Sequence, residues 1–314
     1  GLLGLILMSC LSSIAYAWTC VYVSSYHKGY AWSDALERGL RKELDGQCDL
    51  IQIDMDTKRN KSELYKIRKS REVANEIIKI KPDVLITSDD NAARYLVVPY
   101  FKDSKLPVVF SGINWTVEEY GFPATNVTGM VEVAPIRPML RWAQRLTEQG
   151  TRGFYLGSDT LTEAKNLKYL VKAADDLNIS ISSALVNDGE AWQSAFKEAE
   201  EADFIILGSS AGIHDWDEKT MMSFVREHAR KLILTNNDWM LPFSMLGFVK
   251  IPQEQGEWAA KTAIAIHKGI PIQRIPVVAN RKWEIYENTL LMKLAGVKNS
   301  DVLRARTKKY IQDL

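Results

Sequence analysis

Apolar and polar positions along this chain alternate in two successive rounds. The runs "CVYVSS", "LIQIDM", "DVLITS" and "PVVFSG" have the length and content of buried strands. Between them apolar residues return at helical spacing. Trp32, Leu36, Leu40 and Leu44 recur every four residues, as one buried helix face requires, and Ser33 or Asp34 is placed to cap that helix. Ile67, Ala74, Ile77 and Ile78 mark a second helix, and Ala92, Tyr95 and Leu96 a third. The pattern then restarts at "NVTGMVEV" and leads into a helix over 139–146. It continues through "GFYLGS", a helix carrying Leu167, Val171 and Ala174, "ISISSALV", a helix over 192–199, "DFIILGSS", a helix over 221–229 and "KLILTNN". "GFVKI", a helix over 258–267, the segment "RKWEIYENTLLMKLAG" and a last amphipathic helix complete it. Strand–helix alternation predicts parallel sheets covered on both faces, and the two rounds predict two lobes.

Composition adds limits. With 314 residues, 46% hydrophobic and 25% charged, the chain can fill two cores. Its 40 basic and 39 acidic residues leave a formal charge of +1, with no basic stripe or acidic tail. That balance gives no footprint for nucleic acid. The histidines His27, His214, His228 and His267 show no ligand spacing, so no metal is expected.

The opening "GLLGLILMSCLSSIAYA" is apolar, then small, and ends in Ala-Tyr-Ala. It reads as residues 1–17 of a partial secretory signal peptide, cleaved after Ala17. A lipoprotein reading would end at Cys10, but the Met and Ser before it fit that pattern poorly. The expected location is therefore periplasmic or otherwise extracytoplasmic. In such a compartment Cys20, at the start of the first strand, and Cys48, just before the second, can form a disulfide if the strands are adjacent. Two free buried thiols are the equal alternative.

The strands end in polar clusters. These are Ser24, Ser25 and Tyr26, with His27 next; Ser88, Asp89 and Asp90; Ser111, Gly112, Ile113 and Asn114; Gly157, Ser158 and Asp159; Gly208, Ser209 and Ser210; and Asn236, Asn237, Asp238 and Trp239. Any one of them can be an ordinary turn or helix cap. Six together predict a shared binding cleft, because open parallel sheets bind ligands outside the carboxyl ends of their strands. Serine hydroxyls and helix N-termini suit a carboxylate, and Asp89, Asp90, Asp159 or Asp238 an ammonium. Tyr26 falls off the buried stripe of the first helix and reads as a site residue, whereas Trp32 falls on it.

"GSSAG", Gly208 to Gly212, also matches a nucleophile elbow with Ser210 as nucleophile and Asp238 and His267 in permitted order. The elbow needs a helix directly after the serine, and "AGIHDWDE" intervenes. No catalytic residue and no cofactor is assigned; the expected activity is not enzymatic.

Order and spacing of "KPDVLITSDDNAARYL", "LPVVFSGIN", "NVTGMVEV", "DFIILGSS", "KLILTNNDWM" and "GFVKIPQEQGEWAAKTAIAIHKGIPIQRIPV" resemble the substrate-binding proteins of ABC transporters, in the group with tryptophan- and tyrosine-binding members. "ENTLLMKLAGV" is similar to the family's terminal helix, while "SYHKGYAWSDALERG" is more similar to related sensor ectodomains. The resemblance implies a type I periplasmic binding fold: α/β, two Rossmann-like lobes with parallel sheets joined by a three-strand hinge. Crossings are implied near Asn126, Gly247 and Asn280, giving one lobe of 18–125 and 249–278 and another of 126–248 and 279–314. It implies a monomer that captures a small polar or zwitterionic ligand, an amino acid for example, between its lobes and delivers it to an ABC permease. A sensor component presenting its ligand to a membrane kinase or cyclase is the alternative.

Overall fold

A computed structural model describes residues 18–310. The expected signal peptide, its cleavage point and Cys10 lie outside these residues. Along the chain run β1 (Thr19–Ser24), α1 (Ala31–Leu44), β2 (Asp49–Asp54), α2 (Glu63–Ile80), β3 (Val84–Ser88), the single turn α3 (Asp89–Ala92), which widens into π-helical turns over Ala93–Phe101, β4 (Val108–Asn114) and β5 (Val127–Glu132). There follow α4 (Ile136–Leu146), β6 (Arg152–Ser158), α5 (Leu161–Asp175), β7 (Ser180–Val186), α6 (Gly189–Ala199), β8 (Phe204–Leu207), α7 (Glu218–His228), β9 (Leu232–Thr235) and β10 (Leu246–Lys250). The last are α8 (Pro252–His267), β11 (Val278–Ala279), β12 (Trp283–Glu287), α9 (Thr289–Ala295), α10 (Asp301–Arg304) and β13 (Thr307–Lys309).

The described residues form two compact units. The first ends at Glu132 and resumes over Pro252–Asn280; the second holds Val133–Ile251 and continues from Arg281. The chain therefore passes between units three times. The first sheet has the order β11-β5-β4-β3-β1-β2 and is parallel throughout. The second has the order β13-β12-β10-β9-β8-β6-β7, with β10 and β12 antiparallel. This is the type I periplasmic binding architecture, α/β with two mainly parallel sheets.

Two details depart from expectation. β5 pairs with β4 and β11, so "NVTGMVEV" closes the first sheet instead of opening the second, and the first crossing falls after Glu132. The second crossing falls after Ile251, a few residues beyond the expected one near Gly247, and the third falls after Asn280. Helix α1 starts from Tyr30 without a side-chain cap; Asp34 instead accepts from the Gly29 N–H at 3.0 Å. The last described residues hold the four-residue α10 and the short β13, where one amphipathic helix was expected.

In the first unit the α1 stripe of Leu36, Leu40 and Leu44 packs with Tyr22, Ile86 and Val109 of the sheet and Ala259, Ala260 and Ala263 of α8. The two helices touch backbone to backbone. A Cβ on Gly256 would lie 1.9 Å from the Leu36 carbonyl oxygen, so only glycine permits the crossing. In the second unit the core includes stacked Trp192 and Phe196, with Phe224 edge-on to both.

Cys20 and Cys48 are joined by a disulfide, with Cα atoms 6.1 Å apart. Parallel pairing of β1 with β2 brings them to the same edge. Closing a loop of 28 residues' separation contributes about 3–4 kcal/mol in the chain-entropy picture. Peptide mapping after thiol labelling of denatured, unreduced protein should find neither cysteine modified, and reduction should lower the melting temperature. Labelling of both before reduction would refute the bond.

Candidate functional site

Parallel pairing brings the carboxyl ends of β1, β2, β3, β4 and β5 side by side in the first unit. Most of the polar groups there are spent on one another. The Ser25 hydroxyl donates to the Ser88 carbonyl at 2.6 Å and accepts the Ala92 N–H at 2.8 Å, so it caps α3. Thr57 donates to the Ser25 carbonyl at 2.6 Å, and the Ser88 hydroxyl meets the Tyr22 phenol at 3.0 Å. Asp90 accepts from the Tyr120 hydroxyl and the Asn114 side-chain amide, both at 2.7 Å, and from the Asn114 N–H at 3.2 Å. Of the predicted residues, Ser25, Ser88, Asp90 and Asn114 are thus tied into the frame.

Asp89 is different. It is 5% exposed, yet its Oδ2 has no hydrogen-bond partner among the described residues. Its backbone is left-handed, with φ +69°. Aspartate tolerates that conformation better than most residues, but it is uncommon and clusters at functional positions. Trp115 (φ +64°) and Asp56 (φ +54°), near the ends of β4 and β2, share it. Gly112, at the β4 bulge with φ +68°, makes room: a Cβ there would come 3.3 Å from Asp89 Oδ1. The Gly112 N–H donates to Gln255 Oε1 at 3.1 Å, and Gln255 Nε2 donates to the Val131 carbonyl at 3.3 Å. Gln255 comes from the first turns of α8, distant in sequence, and no local pattern marks it.

Burial pushes the Asp89 carboxyl well above the usual carboxylate range, and the negative charges of Glu132 and Asp90 push it further; Lys58 opposes them. Burial and then Asp89 likewise raise the Tyr26 phenol. Tyr26 meets Tyr30 edge to face at 5.2 Å. His27 has its Nδ1 3.4 Å from Asp56 Oδ1 and its ring tilted against Tyr30, with centroids 6.1 Å apart. Asp89, Asp90 and Glu132 thus make an electronegative patch beside two tyrosines, suited to a compact cation.

In the second unit, Ser158 is fully buried and its hydroxyl has no partner among the described residues; the same holds for the Asn237 side-chain nitrogen. Ser158 N–H donates to the Ser209 carbonyl at 3.0 Å, which joins the ends of β6 and β8. Asp159 is exposed, with Asn187 at 3.5 Å. Asp238 is exposed and accepts its neighbour Trp239's N–H at 2.9 Å; the Trp239 ring is 50% exposed. The sequence reading missed Glu163. Buried on α5, it accepts from the Tyr155 hydroxyl at 2.6 Å and the Ser209 N–H at 2.8 Å. The pattern Thr160-x-x-Glu163, a capping box, was the available signal; Thr160 accepts from Glu163 N–H at 3.3 Å.

After Ser210 the chain turns, and α7 begins only at Glu218, so the strand–turn–helix geometry of a nucleophile elbow is not formed. His267 stacks on Trp18 in the first unit, with centroids 4.3 Å apart. Among the described residues no cluster of three or more His, Cys, Asp or Glu is placed to hold a metal ion, and no helix is long and apolar enough to cross a membrane.

The family model for ABC transporter substrate binding proteins matches residues 33–311. The chain belongs to this family. Members of the family bind small-molecule ligands outside the cytoplasm and work with ABC permeases. Among solved structures, the ABC domain from Streptococcus pneumoniae in complex with L-Trp is similar, with TM-score 0.67 and 15% identity over 94% of this chain and 100% of that one. The ligand-free, open structure of CD0873 from Clostridium difficile, a substrate binding protein with adhesive properties, gives 0.77 and 10% over 95% and 100%. A periplasmic ribose ABC transporter protein from Conexibacter woesei gives 0.59 and 12% over 93% and 98%. At these identities the likeness concerns the fold. No curated protein sequence matches the chain.

Proposed function

We propose that this chain is an extracytoplasmic receptor for a small solute bearing a protonated amine, an amino acid being the simplest case, which it delivers to an ABC permease. The carrying observation is Asp89: a buried carboxylate with one oxygen unpartnered, on left-handed backbone, among further negative charges. A buried carboxylate left without a partner is costly, and a ligand ammonium would supply the missing donor as a charge-assisted bond. Tyr26 would pack against the ligand. The complex of the Streptococcus protein with L-Trp supports an amino acid, which carries such an ammonium. The role is capture without chemistry.

A thermal-shift screen over amino acids, simple amines, their N-acetylated or neutral counterparts, sugars and purines tests this. A ligand at a hundred times its Kd stabilises the folded state by about 2.7 kcal/mol. Amines should raise the melting temperature and their neutral counterparts should not. A shift from sugars or purines alone would overturn the reading.

A further inference from the structure

Lys58 lies in the loop between β2 and α2, and its ammonium sits over two aromatic rings at once. Nζ is 5.0 Å from the Tyr26 centroid and 4.9 Å from that of Tyr30. The rings meet edge to face at 5.2 Å, so they present two walls to one cation. Both Lys58 and Tyr26 lie in the field of Asp89, the side chain with the unpartnered Oδ2. Lys58 is close enough to oppose the negative charge yet makes no ion pair at salt-bridge distance among the described residues. The lysine is therefore a counter-ion that stops short of the carboxylate.

We propose that Tyr26 and Tyr30 form a subsite for an ammonium or guanidinium group, and that Lys58 fills it in the ligand-free protein as a tethered competitor. This deepens the amine-receptor reading and rests on it. Three features support a competitor over a permanent plug. The Lys58 side chain is exposed and flexible, so leaving costs it little solvation. Ring faces bind organic cations without selecting lysine among them. Asp89 Oδ2 feels the charge of Lys58 but has no hydrogen-bond partner among the described residues, so a ligand ammonium bonded to it would gain a contact that Lys58 does not make. Two cations cannot share the rings, so the ligand's arrival displaces Lys58 toward solvent.

The test is calorimetric titration with phenethylammonium, L-phenylalanine and L-arginine of the wild type, Lys58→Met, Asp89→Asn, and Lys58→Met combined with Tyr26→Leu. Circular dichroism checks that each is folded. Lys58→Met should bind phenethylammonium at least threefold tighter than the wild type, and adding Tyr26→Leu should remove the gain. Equal or weaker binding by Lys58→Met overturns the proposal. Weaker binding of L-phenylalanine with unchanged phenethylammonium affinity also overturns it, by showing that Lys58 holds the ligand's carboxylate. If the wild type binds any of the three and Asp89→Asn does not, the amine-receptor reading stands whatever Lys58 does. If neither the wild type nor Lys58→Met binds any of the three, both readings fall.

Discussion

Asp89→Asn is expected to stabilise the ligand-free protein at neutral pH and to weaken the binding of an amine. The native carboxyl group titrates well above its ordinary range because it is buried beside Glu132 and Asp90. In the unfolded chain it titrates near an ordinary aspartate, at about 3.9. Between the two values the folded chain holds a proton that the unfolded chain has lost. Stability therefore falls as pH rises through this interval, and the full cost is present above the folded pKa. Each unit of separation costs about 1.4 kcal/mol. Asparagine keeps the shape and tolerates the left-handed backbone but cannot ionise, so melting curves of the variant should lose this fall. The same proton sets a sign for binding. An ammonium needs the ionised carboxylate, so amine affinity should rise with pH across the interval and binding should release protons. A melting temperature that falls on substitution at neutral pH, with an unchanged pH profile, would show that Asp89 is ionised and already satisfied.

Glu163→Ala should be the most damaging of these substitutions to the second unit. Glu163 accepts at Oε2 from the buried Tyr155 hydroxyl and from the half-buried Ser209 N–H. Its carboxylate occupies space that glycines leave open: a Cβ on Gly208 or Gly157 would come within 2.0 or 2.7 Å of Oε2. Removing it strands both donors, and each unsatisfied buried group costs about 1–3 kcal/mol. A loss of about 2–5 kcal/mol in chemical denaturation is expected, with a smaller loss for Glu163→Gln, whose carbonyl oxygen, placed where Oε2 stands, can keep both donors. Urea unfolding of both variants checks it. An Ala variant within about 0.5 kcal/mol of the wild type, the range of ordinary surface changes, would show that the network does not hold the β8 turn.

The strands β1 to β4 were legible because each is a short apolar run between turn residues, and buried parallel strands need no more than that. The sheet to which β5 belongs was not legible. "NVTGMVEV" reads alike in either unit, and only its pairing with β4 and with the distant β11 decides. The polar strand ends were visible as clusters, but their division of labour was not. Asp90 is occupied because Asn114 and Tyr120, 24 and 30 residues away, reach back to it, whereas Asp89 Oδ2 has no such partner among the described residues. Gln255 and Lys58 escaped notice for a related reason. One comes from α8, the other from the loop after β2, and each gains meaning only from partners brought by the fold.

The measurement that bears most directly on the account compares two ligands and two proteins. Take the tightest amine from the thermal-shift screen and its neutral counterpart, and titrate each calorimetrically into wild type and Asp89→Asn. A charge-assisted hydrogen bond is worth about 1.5–3 kcal/mol, which corresponds to roughly ten- to a hundredfold in affinity. The wild type should prefer the amine by about that factor, and Asp89→Asn should bind the two ligands alike. An equal preference in both proteins would contradict the account, because the ammonium would then be held somewhere other than Asp89.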